Sequence, residues 1–253
     1  MPIHEKFDSV LQQKLNHHKS IFSPRSLALV TVFAALNLIV DIIPFSPTIG
    51  VPGTFFRLGW VLSPLTGILL GPVAGGISCI IAGSLSIAMG IQPWTFGIFT
   101  PFRSGLSALQ SGLLAQNRWK LALALLSFLI GVWFVLPNGR EAWPLTSFHI
   151  VGVLLIVILR SKIRTYIHSP DLDKVALGIS IAAYCGNISR HLLGNTILLF
   201  LLDLSPLIFI SAIPLTVIEQ LTFTIASAIL GGTIIKTSIH DILLLNKSKA
   251  NNL

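Results

Sequence analysis

Asp41, Arg103, His149, Arg190, His191 and Glu219 lie inside long apolar stretches of this chain, and Arg57 stands at the edge of one. An ionisable group held among apolar residues is costly, and by default it marks a functional site or a paired structural contact. Arg190 and Glu219 sit at matched positions on consecutive stretches, so they form either an ion pair that holds register or the floor of a pocket. His191 and Asn195 are four residues apart and share a helix face. They serve either as hydrogen-bonding glue between helices or as pocket lining, with Asn187 one turn further along. His149 by itself reads as a structural histidine. Asp41 acts either as a cap or as a site carboxylate, and Arg57 meets either a lipid phosphate or a substrate. The candidate substrate-binding residues are therefore Arg190, His191, Asn195, Glu219, Arg57, Arg103, Asn187 and Asp41.

The elements that must position these groups are apolar throughout. Of 253 residues, 53% are apolar and only 10% are charged, with a mean hydropathy of +0.83. A soluble domain carries about 25% charged residues. At about 20 residues per crossing, the length accommodates six to eight membrane spans. The expected fold is an all-α polytopic membrane protein with about eight transmembrane helices, near 26–43, 59–71, 73–90, 96–115, 120–136, 142–160, 174–202 and 207–235. A polar segment over 1–25, containing His4, His17 and His18, precedes a single transmembrane domain over 26–236, and a polar tail follows over 237–253. The N-terminal 20 residues lack the apolar core of a cleavable signal. Cys79 and Cys185 both fall in apolar stretches and read as small packing residues.

Gly59 to Ser86 organises the rest. It holds six of the 20 glycines and two of the 14 prolines, and no charged residue. Glycine and proline at this density are tolerated where neighbouring helices re-satisfy the backbone and glycine lets helices approach closely. Gly71-Pro72 reads as a tight turn between two helices, with Pro72 preorganised for the first turn of the second. The loop FSPTIGVPGTFFR at 45–57 has the composition of a lid rather than a hydrated linker. Phe55, Phe56, Trp60, Trp94 and Phe96 are either interface aromatics or the closure of a pocket top.

The net charge of +8 is asymmetrically placed. With the N-terminus inside, the segments 1–25, 116–120, 160–174 and 236–253 are internal and hold 13 of the 17 Lys and Arg residues. Only Arg57 and Arg140 fall in external loops. This satisfies the positive-inside rule, puts both termini in the cytoplasm and removes the need for a nucleic-acid partner. The ionisable groups then run from the midplane outward, a distribution that suits a pocket open to the outside rather than a path across the whole membrane. The chain contains no phosphate-binding loop, no His-Glu-x-x-His, no Gly-x-Ser-x-Gly and no Cys-x-x-Cys. No catalytic residue, metal or cofactor is assigned, and ATP hydrolysis would have to come from a partner.

Three stretches carry a family resemblance: SLALVTVFAALNLIV at 26–40, LTGILLGPVAGGISCIIAGSL at 65–85 and IPLTVIEQLTFTIASAILGG at 213–232. Taken in order, they resemble the S components of energy-coupling factor (ECF) transporters, the small membrane subunits that capture vitamins and other micronutrients. The resemblance implies a six-helix core, to which 119–160 adds an inserted helical hairpin. It also implies a multi-pass protein of the cell membrane that is not itself an enzyme. A micronutrient would be held in an outward-facing pocket closed by the loop after the first helix. Delivery would follow association with a membrane coupling subunit and ABC-type ATPases. Docking would fall on the small pair Thr31 and Ala35, and on Gly71 and Pro72. The two buried arginines suit an anionic or carboxylate-bearing substrate. The competing readings are a stand-alone transporter coupled to protons through His191 and Glu219, an intramembrane enzyme acting on a lipid-linked substrate, and a structural subunit.

Overall fold

A computed structural model describes residues 24–92 and 94–250, except for the side chains of Arg25, Trp94 and 238–250. The lead-in histidines His4, His17 and His18 lie outside the described residues. The helices are α1 (Pro24–Asp41), α2 (Gly59–Leu70), α3 (Pro72–Ala88), α4 (Thr100–Ala115), α5 (Trp119–Val135), α6 (Pro137–Glu141), α7 (Ser147–Leu159), α8 (Ile163–Ile167), α9 (Leu172–Leu202), α10 (Pro206–Ser211) and α11 (Ile213–Ala250). Between α1 and α2, strands β1 (Pro44–Pro47) and β2 (Phe55–Arg57) pair antiparallel. Two 3-10 turns, Trp94–Phe99 and Trp143–Thr146, lead into α4 and α7.

Local signals account for the boundaries. Gly71 adopts φ +89° between α2 and α3, a conformation that costs glycine nothing. Pro72 opens α3, where a missing N–H is harmless. The long helix α9 starts at Asp171, whose side chain accepts from the Asp173 backbone N–H at 3.1 Å. The Lys174 ammonium and this N–H hold the exposed Asp171 carboxyl below its usual range. Serine 205 caps α10 in the same manner.

The bundle is built around α4, which packs on α2, α3 and α9. Small residues set the spacing. A side chain at Gly67 would overlap the Ala108 carbonyl, and one at Gly112 would come within 2.6 Å of the Pro72 nitrogen. Backbone touches backbone at these crossings. Side-chain hydroxyls and amides then tie the helices together. Ser111 Oγ donates to Ala182 O at 3.0 Å, Gln110 Nε2 to Ala122 O at 3.0 Å, Ser78 Oγ to Val30 O at 2.9 Å and Ser227 Oγ to Val61 O at 2.8 Å. The main apolar cluster, including Leu65, Leu126, Ile156, Ile179 and Ile188, lies away from the hairpin end. A second cluster around Trp133, Leu145, Leu192 and Phe209 lies nearer to it. Cys79 and Cys185 are free, buried and on different helices.

The expectation of about eight transmembrane helices is not met. Among the described residues, one segment, Ile213–Thr237 of α11, is long and apolar enough to cross a membrane. The other apolar helices are 10–17 residues long, short of the roughly 20 that a 30 Å hydrocarbon core requires. Two causes are visible. The stretches on either side of the Gly71 turn are short even as expected, and the 3-10 turns Trp94–Phe99 and Trp143–Thr146 take up the start of two more, so that α4 begins only at Thr100 and α7 only at Ser147. In α9, which is 31 residues long, Asn187, Arg190, His191 and Asn195 interrupt the apolar run. The outward faces are nonetheless strongly apolar. Leu29, Val32, Leu36 and Ile39 of α1, Leu154 and Ile158 of α7, and Ile218, Leu221, Ile225 and Ile229 of α11 are all exposed.

The glycine spacing is directly testable. Gly67→Ala forces α2 away from α4 and should lower stability by about 1–3 kcal/mol. Gly131 lies in α5 with open space around its Cα, so Gly131→Ala should be neutral or stabilise by up to about 1 kcal/mol. Thermal unfolding of the two variants side by side checks the contrast.

Candidate functional site

The site forms where the ends of α1, α2, α4, α9 and α11 meet beneath the β1–β2 hairpin. Its centre is Trp60, on the first turn of α2 and only 2% exposed. The Arg190 guanidinium lies 4.5 Å from the Trp60 ring centroid, and that of Arg103 lies 5.9 Å from it. Arg103 also stacks on Phe96 at 3.6 Å. Both arginines are at least nine-tenths buried, at 5% and 2% exposure. Arg103 reaches this position because α9 presents Gly194 beneath its guanidinium, where a Cβ would lie 2.8 Å from Nε.

Among the described residues neither arginine forms an ion pair; the one found joins Lys174 to Asp171 at the other end of the protein. Arg190 donates to Ser63 Oγ at 3.2 Å. The Nε atoms of Arg57, Arg103 and Arg190 are buried without a hydrogen-bond partner. Asp41 is the carboxylate whose charge acts on both buried guanidiniums, but it forms an ion pair with neither. Oδ2 accepts from Gln92 Nε2 at 2.7 Å, while Oδ1 is buried without a hydrogen-bond partner and lies over Gly59 at the N-terminus of α2, where the helix dipole favours a negative charge.

The hairpin is the roof. Ser46 Oγ donates to Glu219 Oε1, Thr54 and Thr95 hydroxyls meet at 2.9 Å, and Arg57 donates to the Asp41 and Ile42 carbonyls at 3.0 and 3.3 Å. Phe45 packs on Phe223 of α11, centroids 4.9 Å apart, and Phe56 packs edge-on against Trp60 at 4.8 Å. Two small cavities remain below. One of about 30 Å³ is lined by His191, Asn195, Glu219 and the hairpin residues Pro47, Thr48 and Phe56. The other, about 10 Å³, is bounded by Arg57, Arg103, Arg190, Trp60, Phe96 and Gln92. Such volumes hold a few waters at most, so the roof lies close upon the floor.

Most residues expected from the sequence converge here. Arg57, Arg103, Arg190 and Asp41 surround Trp60, while His191, Asn195 and Glu219 line the neighbouring cavity. His191 and Asn195 are 3.2 Å apart, as their four-residue spacing implies. Three assignments change. Arg190 and Glu219 do not pair: α9 turns Arg190 toward Ser63 and Trp60, and Glu219 takes its hydrogen bond from the hairpin. Asn187 lines neither cavity; its Oδ1 accepts from Ser107 Oγ at 3.3 Å, as an interhelical tie. His149 is fully buried, stacked on His191 at 5.7 Å. Of the residues assigned to docking, Thr31 and Ala35 face outward, but Gly71 and Pro72 are buried, Pro72 against Gly112. Ser46, Ser63 and Gln92 are site residues that sequence reasoning missed. Ser46 lies 173 positions from its partner, and no local pattern announces such a contact.

No family model matches the chain, and no solved structure matches it. An uncharacterized protein of Methanocaldococcus jannaschii is similar, with 28% identity over 167 residues, or 66% of this chain. The match covers 56% of that relative, so the chain spans little more than half its length.

Because a hydrogen bond contributes about 1 kcal/mol net, Ser46→Ala and Thr54→Ala should each raise amide exchange across 44–57 about fivefold. Exchange in α4 should be unchanged. Hydrogen–deuterium exchange resolved by peptide checks this.

Proposed function

We propose that this chain is a substrate-capture subunit of an ECF-type importer. It binds a vitamin or similar micronutrient beneath the β1–β2 hairpin and delivers it by associating with a membrane coupling subunit and ABC-type ATPases. The observation that carries the reading is a roof held by a few polar and aromatic contacts over buried guanidiniums that lack carboxylate partners. Such a chamber is closed yet chemically unfinished. Opening it means breaking hydrogen bonds of the Ser46–Glu219 and Thr54–Thr95 kind, each a small cost, while the helical floor stays packed.

The setting is a cell membrane with several segments in the lipid. The exposed apolar faces of α1, α7 and α11 support this, because a patch of that extent marks contact with lipid or protein. α11 crosses, and the shorter apolar helices lie beside it, their mismatch taken up by local thinning of the bilayer. The hairpin end faces outward. Arg118, Arg160, Arg164 and Lys174 gather at the opposite end, the arrangement favoured when that end faces the cytoplasm.

The reading predicts that the purified full-length chain binds one small molecule tightly, without ATPases and without transporting it. Native mass spectrometry should detect a co-purified species, and Phe56→Ala, at a residue that lines both cavities, should reduce its occupancy at least about tenfold. Uptake by the chain alone in liposomes would replace this reading with a stand-alone transporter.

A further inference from the structure

Resting on the capture reading, we propose that the captured molecule is a small organic anion: an oxyanion, either a carboxylate or a phosphate ester, on a flat conjugated body. Arg103 and Arg190 receive the oxyanion, Arg57 covers it, and the rings of Phe56, Trp60 and Phe96 receive the body.

Charge is the first argument. Three guanidiniums line the smaller cavity and no carboxylate does; the carboxylate whose charge acts on the two buried ones is Asp41, outside the lining. Its Oδ2 is taken by Gln92 and its Oδ1 lies over Gly59 at the start of α2, paired with neither arginine. Glu219 lies on the neighbouring cavity and is bound to Ser46. Buried cations of this kind are normally paired, because removing a charge from water is costly. Here the faces of Trp60 and Phe96 stand in for a counter-ion. Cation–π contact is worth about 2 kcal/mol when desolvated, less than a charge-assisted fork of hydrogen bonds supplies together with neutralisation.

Geometry is the second argument. The Nε–H of each arginine is buried and unbonded, and Arg103 has no hydrogen bond from its guanidinium among those observed. A planar guanidinium with its Nε–H free presents the edge that takes two oxygens of one carboxylate or phosphate side by side. Lysine offers no such fork, so the residue type itself points to a group that presents two oxygens side by side. The remaining wall is aromatic. Phe56 belongs to the roof, so lifting the hairpin separates it from Trp60 and exposes a slot between rings. The polar groups at the rim, Thr48, Thr54 and Gln92, are too few to take a polyhydroxylated body.

The test uses the purified full-length chain and four probes of similar size: benzoate, phenyl phosphate, benzamide and benzylamine. Thermal unfolding and titration calorimetry are followed at neutral pH. Benzoate or phenyl phosphate should raise the unfolding temperature saturably, and the stronger of the two identifies the oxyanion. Benzamide and benzylamine should have no effect. Arg103→Gln and Arg190→Gln should each weaken the response at least about tenfold, and Arg190→Lys should recover only part of it. Should a buried variant not fold, selectivity between benzoate and benzamide on the unaltered chain decides, together with Arg57→Gln at the rim. Equal binding of benzamide, or a co-purified molecule that is neutral or cationic at pH 7, overturns the anion assignment and leaves capture standing. Failure of every probe with nothing co-purified overturns both.

Discussion

Everything at the hairpin end depends on how closely four helices approach one another. Where Gly67 meets the Ala108 carbonyl and Gly112 meets Pro72, no side chain separates the backbones of α2, α3 and α4. Apolar burial alone does not fix such a distance, since larger residues would bury more surface at wider spacing. Glycine fixes it by leaving nothing else to touch. The same device recurs between α4 and α9, where Gly186 lies against Ser107 and Ser111, and Gly194 lies against Arg103. Arg103 and Arg190 therefore both arrive beside Trp60 as a consequence of backbone spacing. A methyl group at Gly194 would move one guanidinium and spoil the pair, without altering any charge.

The site is held in a costly state by inexpensive contacts. Two nearly buried guanidiniums without ion pairs forgo solvation that cation–π stacking replaces only in part. The packing of the bundle bears that cost, and a region so held gains more than a neutral one from any anion that reaches it. The roof above is the opposite case. Ser46, Thr54 and Arg57 contribute single hydrogen bonds, and β1 and β2 form a two-stranded ribbon that would not be stable alone. Rigid floor and loosely fastened roof are thus two consequences of the same sequence: glycine-spaced helices below, and a loop rich in proline, glycine and phenylalanine above.

Which features could be read from the sequence follows from the physics of each. The turn at Gly71-Pro72 and the helix positions were visible, because glycine, proline and charge punctuate locally. The gathering of ionisable groups at one end was visible too, because depth along antiparallel helices follows from counting residues. Rotation about each helix axis does not. Arg190 and Glu219 match in depth, yet they face different neighbours, and so the ion pair, one of the two readings that depth allows, is absent. Asn187 lines neither cavity for the same reason. The count of eight crossings failed differently. Composition shows where apolar stretches lie, while a crossing needs an uninterrupted helical rise of about 30 Å, and most of these helices stop short. Ser46 and Gln92 were hidden because polar residues in turns are unremarkable until the fold brings them against Glu219 and Asp41.

The distribution of polarity also constrains how a bound molecule would leave. Among the described residues, the buried charged and imidazole side chains all sit in the half of the bundle nearest the hairpin: Asp41, Arg103, His149, Arg190, His191 and Glu219. Beyond them the interior is closed by Leu65, Leu126, Ile156, Ile179 and Ile188, all fully buried. An ion released downward would meet close-packed aliphatic side chains and hydroxyl or amide groups already tied between helices, with no charged group to replace its arginine contacts. A chain of stepwise sites, the arrangement that a proton- or ion-coupled carrier needs, is missing from that half. If cargo enters under the hairpin, the chain must either release it through the same opening or be moved as a body so that the opening faces the other side. The second route requires an external lever, because the helices are locked backbone to backbone and cannot rock apart without losing the glycine contacts that position the site. On the capture reading, this rigidity is the physical reason for a partner: the bundle binds, and something else has to turn it.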